Sequence, residues 1–313
     1  MSSTSAPPIP TRQALRTALD ACIGGEATSR LTMDEHGAFR GDAYFGEALA
    51  GPPGRLHGGL HGCARVVSVL RALRGDAALA GAFPLSLRMR LERALPLATP
   101  LTFEGTYRDS GDAFQLTTRF SDTPKLDAEA HSVAPLGDDA VAPFRTLVER
   151  FASEPARTLS IRGSFPVTAH RSGCYIDLTD DFFAIPGNEL SSALRPDGTR
   201  DAAFTCIALD WLGAIGMGVH WQAKLFTTRL VLQLDVDELP AGVPLRVMVD
   251  CTRPAVDPEE QLSPVVLRGE PVMPTSLPVA LLAQDLTRAF AVGRVTMVPL
   301  AGQTERLGAP PPR

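Results

Sequence analysis

Hydrophobic residues recur at helical spacing in two long stretches of the chain. The first begins at Leu60 and keeps a wide apolar face as far as Leu73, and Arg71 and Arg74 occupy its last turn, where cations suit the helix dipole. The second stretch, residues 201–219, contains almost no polar residue. Because a helix that is hydrophobic on every side is usually buried, the pattern predicts one helix with an apolar face and one that is fully enclosed.

Alternating apolar and polar residues predict strands around these helices. The alternation is strict over residues 85–91, and residues 109–112 have the composition of a hairpin turn. The other predicted strands are residues 28–45 (broken by a turn), 101–107, 113–120, 126–133, 174–185 (with an Asp-rich turn), 225–234, 245–251, 265–267 and 294–300. Shorter helices are predicted over residues 11–23 and 141–152. A long helix, one strand before it and four antiparallel strands after it form the order of a curved sheet wrapped around a helix.

A repeated motif indicates that this unit occurs twice. Leu-Pro-x-x-x-Pro-Leu stands at residues 95–101 and again at residues 239–245, a shift of 144 residues. The same shift carries His57, before the first long helix, onto Asp201, before the second. Since one shift aligns both the turn and the helix start, we interpret the chain as a duplicated unit.

The duplication divides the chain into five predicted segments. They are an N-terminal lead with a short helix (1–27), a first unit (28–137), a linker with a helix (138–161), a second unit (162–302) and a disordered tail (303–313). The predicted fold class is α+β, with two long helices, each wrapped by a curved antiparallel sheet.

Composition and charge argue against several classes of function. The formal net charge of -5 gives no support for a nucleic-acid-binding protein. The chain has no apolar run of membrane-spanning length, and its first ten residues lack the pattern of a signal peptide. Its five scattered cysteines form no CxxC or His/Cys cluster. We therefore expect a cytoplasmic protein without a membrane span, and we predict no metal and no cofactor.

The tripeptide His57-Gly58-Gly59 lies at the entrance of the first long helix. Glycines at a helix N-terminus expose backbone N–H groups, so an oxygen that carries negative charge can approach them closely. The alternative is that both glycines only shape a tight turn.

Asp210 is the only formally charged residue between Asp201 and Lys224. A buried carboxylate without partners costs several kcal/mol, or its pKa rises until it is neutral. Such a group is either paired for structural reasons or functional, and both interpretations stay open here.

These features resemble a known family. A His-Gly-Gly that enters a long helix, followed by a strand, a Pro-rich turn and Pro-Leu-x-x-x-Gly at residues 100–105, resembles the hot-dog acyl-CoA thioesterases of the His-Gly-Gly type, with two hot-dog units fused in one chain. The resemblance implies a double hot-dog fold and hydrolysis of an acyl thioester, carried by CoA or by an acyl carrier protein. It also implies a shared active site, in which a glycine amide of one unit polarises the thioester carbonyl and a carboxylate of the other attacks or activates water.

In that family the carboxylate stands nine residues after the histidine position. Nine residues after His57 is Val66, which has no acid–base chemistry, whereas nine residues after Asp201 is Asp210. The second helix in turn has Ala202 and Ala203 in place of the glycines. The resemblance therefore implies one composite site, built from Gly58 and Gly59 of the first half and Asp210 of the second.

Several further residues are predicted near this site. His57 would bind or orient the substrate, the alternative being a capping or turn histidine. Family members often have an Asn before the His-Gly-Gly, and residues 51–53 here are Gly-Pro-Pro. The predicted substrate-binding residues are Arg55, His61, Arg65, Ser68, Trp211 and Asp237.

Two other functions compete with hydrolysis. A double hot-dog dehydratase or hydratase would use a His of one half and an Asp of the other on a β-hydroxyacyl thioester, but its usual His-x-x-x-Gly-x-x-x-x-Pro pattern is not found around His57 or His61. An acyl-binding or scaffold protein would use Asp210 only structurally. The fused units already make the minimal pair, and exposed sheet edges would permit a homodimer of it.

Overall fold

The structure is a computed structural model in which the described parts of the chain are residues 15–16, 27–47, 55–74, 79–91, 95–111, 113–122, 128–161, 165–184, 190, 194, 198–221, 225–256, 265–267 and 270–299. The first ten residues and the predicted tail lie outside this part. The helices are α1 (Gly58–Arg74), α2 (Asp138–Phe151), α3 (Asp180–Phe183) and α4 (Ala202–Trp221), with a 3₁₀ turn over Ala80–Ala82.

Seventeen strands are present in the described residues. They are β1 (Leu15–Arg16), β2 (Ala27–Met33), β3 (Ala38–Phe45), β4 (Leu85–Arg90), β5 (Leu101–Asp109), β6 (Phe114–Phe120), β7 (Ala128–Ser132), β8 (Arg157–Ile161), β9 (Phe165–Ala169), β10 (Gly173–Leu178), β11 (Leu225–Leu234), β12 (Leu245–Asp250), β13 (Ala255–Val256), β14 (Val265–Leu267), β15 (Glu270–Val272), β16 (Thr275–Ala283) and β17 (Ala289–Pro299).

Fifteen of these strands form one antiparallel sheet. Its order is β1-β2-β3-β5-β6-β7-β4-β11-β17-β16-β12-β10-β9-β8, with β13 paired to β16, while β14 and β15 form a separate hairpin. At the centre β4 pairs with β11, from Leu85 opposite Leu234 to Arg90 opposite Arg229. The β4–β11 pair divides this strand order in two. The seven strands on one side are β1 to β7, and the seven on the other side all follow them in the chain. The helices and the antiparallel sheet agree with the predicted α+β class.

The two long helices pack against each other and against the sheet. The inward side chains of the strands alternate with outward ones, as in β4, where Leu85, Leu87 and Met89 are buried. They form one core with α1 and α4. Every described side chain of α4 is buried except Trp211 and Ala214, which are half-buried, so the fully enclosed helix predicted from the sequence is present.

A second, smaller core lies on the opposite face of the sheet. Val141, Phe144, Leu147 and Phe151 of α2 pack there against Met248 and against Ala280, Leu282 and Ala289. Met248 lies between the main-core residues Val247 and Val249, so by the two-residue period of a strand it points to the other face. The predicted linker helix therefore covers part of the outer surface of the sheet.

A backbone hydrogen bond joins equivalent positions of the sequence repeat in both halves of the chain. The Leu56 N–H donates to the Leu95 carbonyl over 3.0 Å, and the Leu239 N–H donates to the Arg200 carbonyl over 2.8 Å. Each residue of the first pair differs from one of the second by the 144-residue shift of the sequence repeat. The entrance of each long helix is thus tied to the turn that carries Leu-Pro-x-x-x-Pro-Leu.

Some predicted elements differ from the structure. Leu15 and Arg16 lie in β1, not in the helix predicted over residues 11–23, because they pair with Leu31 and Arg30 at the sheet edge. The strand predicted over residues 174–185 ends at Leu178, and α3 follows because the Thr179 hydroxyl accepts a hydrogen bond from the Phe182 N–H at the helix start. The prediction also omitted β8, which lies in the predicted linker, and β16, where Pro278 interrupts the strand pattern.

Candidate active site

The entrance of α1 meets the middle of α4 at Gly59. A Cβ on Gly59 would lie 2.6 Å from the Cys206 carbonyl oxygen and 2.7 Å from the Ile207 Cα. Only a residue without a side chain allows the two helix backbones to approach this closely. The glycine predicted as a hydrogen-bond donor is therefore also the contact point of the two helices, and the contact brings α1 beside Asp210.

Asp210 accepts hydrogen bonds on both carboxylate oxygens. The Gly59 N–H donates to Oδ2 over 3.0 Å, and the Thr227 hydroxyl donates to Oδ1 over 2.6 Å. Both alternatives stated for Asp210 remain compatible with these contacts, since the partners fix a buried carboxylate and also orient it. The Gly59 amide, predicted to polarise a substrate carbonyl, is bonded to the carboxylate instead.

Gly58 makes room for the same carboxylate. A Cβ at Gly58 would lie 2.7 Å from Asp210 Oδ2. In the described part of the chain, its N–H has no acceptor. An N–H in the first turn of a helix has no intrahelical partner and lies at the positive end of the helix dipole. Of the two glycine amides, that of Gly58 is therefore the one available to an incoming oxygen.

His57 caps α1 and lies against Asp210. The Gly59 N–H, which donates to Asp210, also donates to His57 Nδ1 over 3.1 Å, and Nδ1 is 3.4 Å from Asp210 Oδ2. Because Nδ1 accepts a backbone hydrogen bond, this contact assigns the proton of neutral His57 to Nε2. The capping role stated as an alternative for His57 is thus present, next to a carboxylate with which it can exchange a proton.

Burial shapes the electrostatics of Asp210. Loss of water raises the pKa of Asp210 above its usual value, while the charge of His57 and the hydrogen bonds from Thr227 and Gly59 act in the opposite direction. Even so, the site is not sealed, since Asp210 is 5% exposed and His57 8% exposed. A carboxylate with a raised pKa is a stronger base than an ordinary aspartate.

Thr227, which the sequence analysis missed, reaches Asp210 because of a β-bulge. Thr227 pairs with Met297 and Arg229 pairs with Thr296, so Thr228 is an extra residue in β11. Met297 belongs to the main core, and opposite residues of paired strands point to the same face. Thr227 therefore points inward, although it stands three positions from the inward Leu230. The available signal was two adjacent threonines in an apolar strand.

The corresponding positions of the other half have a different chemistry. Under the 144-residue shift, Asp210 corresponds to Val66, and Thr227 corresponds to Phe83. Val66 and Ala202 are fully buried, and Asp201 accepts the Phe204 N–H over 3.0 Å and so caps α4 with its own carboxylate. Within the described residues, the first half thus presents a Gly58 amide without an acceptor, whereas the entrance of the second long helix is capped by its own carboxylate, and the counterpart of Asp210 on α1 is the apolar Val66.

The predicted substrate-binding residues do not all lie together at the candidate site. Trp211 is half-buried and follows Asp210 in α4, and Arg55 is exposed and bridges Pro96 just before α1. Asp237 is 3.6 Å from Arg71 in a mostly buried ion pair. Since Arg71 stands twelve residues along α1 from Gly59, this pair lies about 18 Å away from it. His61, Arg65 and Ser68 lie in α1, and their side chains are outside the described part of the structure.

A metal centre and a membrane-spanning helix are both absent from the described residues. They contain no group of three His, Cys, Asp or Glu side chains that could hold a metal ion. None of their helices combines the length and the apolar character needed to cross a bilayer.

The structure of this chain is similar to several solved structures. A protein of unknown function with a hot-dog fold from Alicyclobacillus acidocaldarius is 11% identical, with a TM-score of 0.50 over 91% of this chain and 98% of that chain. The dehydratase domain of the polyketide PpsC from Mycobacterium tuberculosis is 13% identical, with a TM-score of 0.50 over 87% and 97%. The 12:0-ACP thioesterase from Umbellularia californica is 10% identical, with a TM-score of 0.44 over 84% and 94%. No family model and no curated protein matches the sequence.

The chain has the hot-dog fold. At these identities, 10–13%, the likeness shows the fold alone. The chemistry must therefore be argued from the side chains of the site.

Proposed function

We propose that the protein hydrolyses acyl thioesters at one composite site. The two halves are two hot-dog units of one chain, and the site lies where the entrance of α1 meets the middle of α4. The observation that carries the proposal is the buried Asp210 carboxylate, held 3.0 Å from the Gly59 amide and beside the Gly58 N–H, which has no acceptor among the described residues. Acyl-CoA or an acyl carrier protein would supply the thioester.

The two glycine amides have different tasks in this mechanism. Gly58 donates its N–H to the thioester oxygen and stabilises the oxyanion that develops there, a contribution of about 3 kcal/mol for one well-placed donor. Gly59 donates to Asp210 and keeps the carboxylate in place. Asp210 accepts a proton from water on the remaining lone pairs of Oδ2, while Thr227 holds Oδ1. We assign Asp210 as a general base because a covalent bond at Oδ2 would compete with the Gly59 contact.

Only one of the two pseudo-equivalent positions supports this chemistry. At the corresponding positions of the other half, Val66, Phe83 and Ala202 have neither a carboxylate nor a hydroxyl, and the neighbouring Asp201 carboxylate caps its own helix by accepting the Phe204 N–H. We therefore propose one active site per chain.

A dehydratase is the second candidate, because His57 lies 3.4 Å from Asp210 and the two could serve as base and acid on a β-hydroxyacyl chain. In that reaction the histidine has to take a proton from carbon. The hydrogen bond from Gly59 to Nδ1 places the proton of neutral His57 on Nε2, so Nε2 cannot take a proton from carbon, and Nδ1 faces Gly59 and Asp210. The tautomer thus favours hydrolysis.

An assay of the purified protein with a panel of acyl-CoAs separates the candidates. Release of free thiol supports a hydrolase, loss of water with an intact thioester indicates a dehydratase, and binding without turnover indicates an acyl-binding protein. D210N should abolish thiol release and keep the fold. Wild-type rates in D210N would remove Asp210 from the mechanism.

A further inference from the structure

Thioester hydrolysis leaves one proton on the base and one thiolate that needs it. Water adds to the carbonyl carbon, its proton goes to Asp210, and a C–O bond forms. The C–S bond then breaks, and its electron pair leaves with the sulfur. Building on the hydrolase function proposed above, we propose that His57 carries this proton from Asp210 to the departing sulfur.

The geometry of His57 and Asp210 suits a relay. His57 Nδ1 is 3.4 Å from Asp210 Oδ2, and the two side chains are 10% and 6% exposed. Nδ1 has a single lone pair, and it shares the Gly59 N–H with Asp210 Oδ2. When this N–H bonds to Oδ2 alone, the Nδ1 lone pair can accept the proton. The contact is longer than an ordinary hydrogen bond, and catalytic hydrogen bonds of free enzymes commonly shorten when substrate binds. Protonated Asp210 therefore has an acceptor beside it that is largely shielded from bulk water.

The other ring nitrogen, Nε2, is the proton donor in this relay. With Nδ1 as an acceptor, neutral His57 carries its proton on Nε2. Within the described part of the chain, Nε2 has no hydrogen-bond partner, and it is not among the fully buried polar atoms. In the proposed relay, Nε2–H is the group that donates to the departing sulfur.

The relay step conserves atoms and charge. The proton on Asp210 Oδ2 moves to His57 Nδ1 while the Nε2 proton moves to sulfur, so that the thiol leaves neutral and Asp210 is again a carboxylate. His57 then carries its proton on Nδ1, where it faces the Gly59 N–H donor. Because two donors oppose each other in that tautomer, the resting form returns when Nε2 takes up a proton from water and the Nδ1 proton leaves through Asp210 to water.

The test compares two leaving groups in a His57 variant. H57N keeps an acceptor for the Gly59 N–H but cannot relay a proton. Two thioesters with the same acyl group are used, one of an alkyl thiol such as CoA and one of nitrothiophenol, whose thiolate is stable without a proton. H57N should lower kcat for the alkyl thioester by about 100-fold or more, the range of general acid catalysis, and lower it for the aryl thioester by less than about 5-fold.

Controls separate this relay from a structural role. H36N removes an exposed histidine, 83% exposed at its side chain, and should leave both rates unchanged, whereas D210N should lose both. Equal losses for the two thioesters in H57N, with unchanged melting temperature, would overturn the relay alone. If H57N does not fold, H57Q serves in the same comparison. Wild-type protein that hydrolyses neither thioester overturns the proposed function, and the relay with it.

Discussion

The Thr227 hydroxyl donates to Asp210 Oδ1 over 2.6 Å, across the gap between β11 and α4. The neighbouring Thr228 is the bulge residue and donates instead to the Thr296 carbonyl over 3.4 Å. Two adjacent buried threonines thus have different partners, and only one of them holds the carboxylate of the candidate site.

This pair gives a matched test of the site. A hydrogen bond to a charged group contributes about 1.5–3 kcal/mol, so T227V should lower kcat/KM for thioester hydrolysis by about 10- to 100-fold. T228V loses a comparable hydroxyl without touching Asp210 and should stay within about 2-fold of wild type. Steady-state kinetics of both variants, with their melting temperatures, would measure this. Equal rates in the two variants would exclude a role for Thr227.

Alanine substitutions of Gly58 and Gly59 should have different effects on stability and activity. In G59A the new Cβ meets the backbone of α4, so we expect a loss of stability of about 3 kcal/mol, as for overpacked cores. In G58A it meets the Asp210 carboxylate, so activity should fall with a smaller loss of stability. Denaturant unfolding and turnover are measured for both. G81A is the control, because nothing lies within 4 Å of its Cβ, and a G59A protein as stable as G81A would contradict the close helix contact.

Stability should depend on the protonation of Asp210. Its pKa in the folded protein is raised above the ordinary 3.8 by burial, so the folded state holds the proton more tightly than the unfolded chain. This stabilising effect is full below the ordinary pKa and is lost as pH rises through the raised one. D210N does not titrate, so the melting temperature of D210N minus that of wild type should increase from about pH 4 to pH 7. A difference that stays constant would argue against the raised pKa.

The Arg71–Asp237 ion pair tests a residue predicted to bind substrate. Its side chains are 4% and 11% exposed, and removing one partner of a buried pair typically costs about 3–5 kcal/mol. D237N should therefore lower the free energy of unfolding by about that amount, while KM at temperatures below unfolding stays unchanged. A raised KM with unchanged stability would support the substrate-binding role instead.

The elements that the sequence predicts correctly are those indicated by patterns of many residues. The apolar length of residues 201–219, the alternation over 85–91 and the 144-residue shift each average over many side chains, so α4, β4 and the paired helix entrances follow from the sequence. Asp210 could be singled out because a lone acid in an apolar helix is costly to bury. Leu15 and Arg16 could not be placed, since their strand exists only through pairing with β2.

The chain by itself determined which residues have the chemistry: an amide-rich helix entrance in one half and a single acid in the other. Only the tertiary structure decided how they are used. The contact of two helix backbones at Gly59 assigns that amide to Asp210 and leaves Gly58 open, the bulge at Thr228 turns Thr227 inward, and Asp237 pairs with Arg71 along α1. These outcomes depend on distances between residues far apart in the chain, and local sequence patterns do not encode such distances.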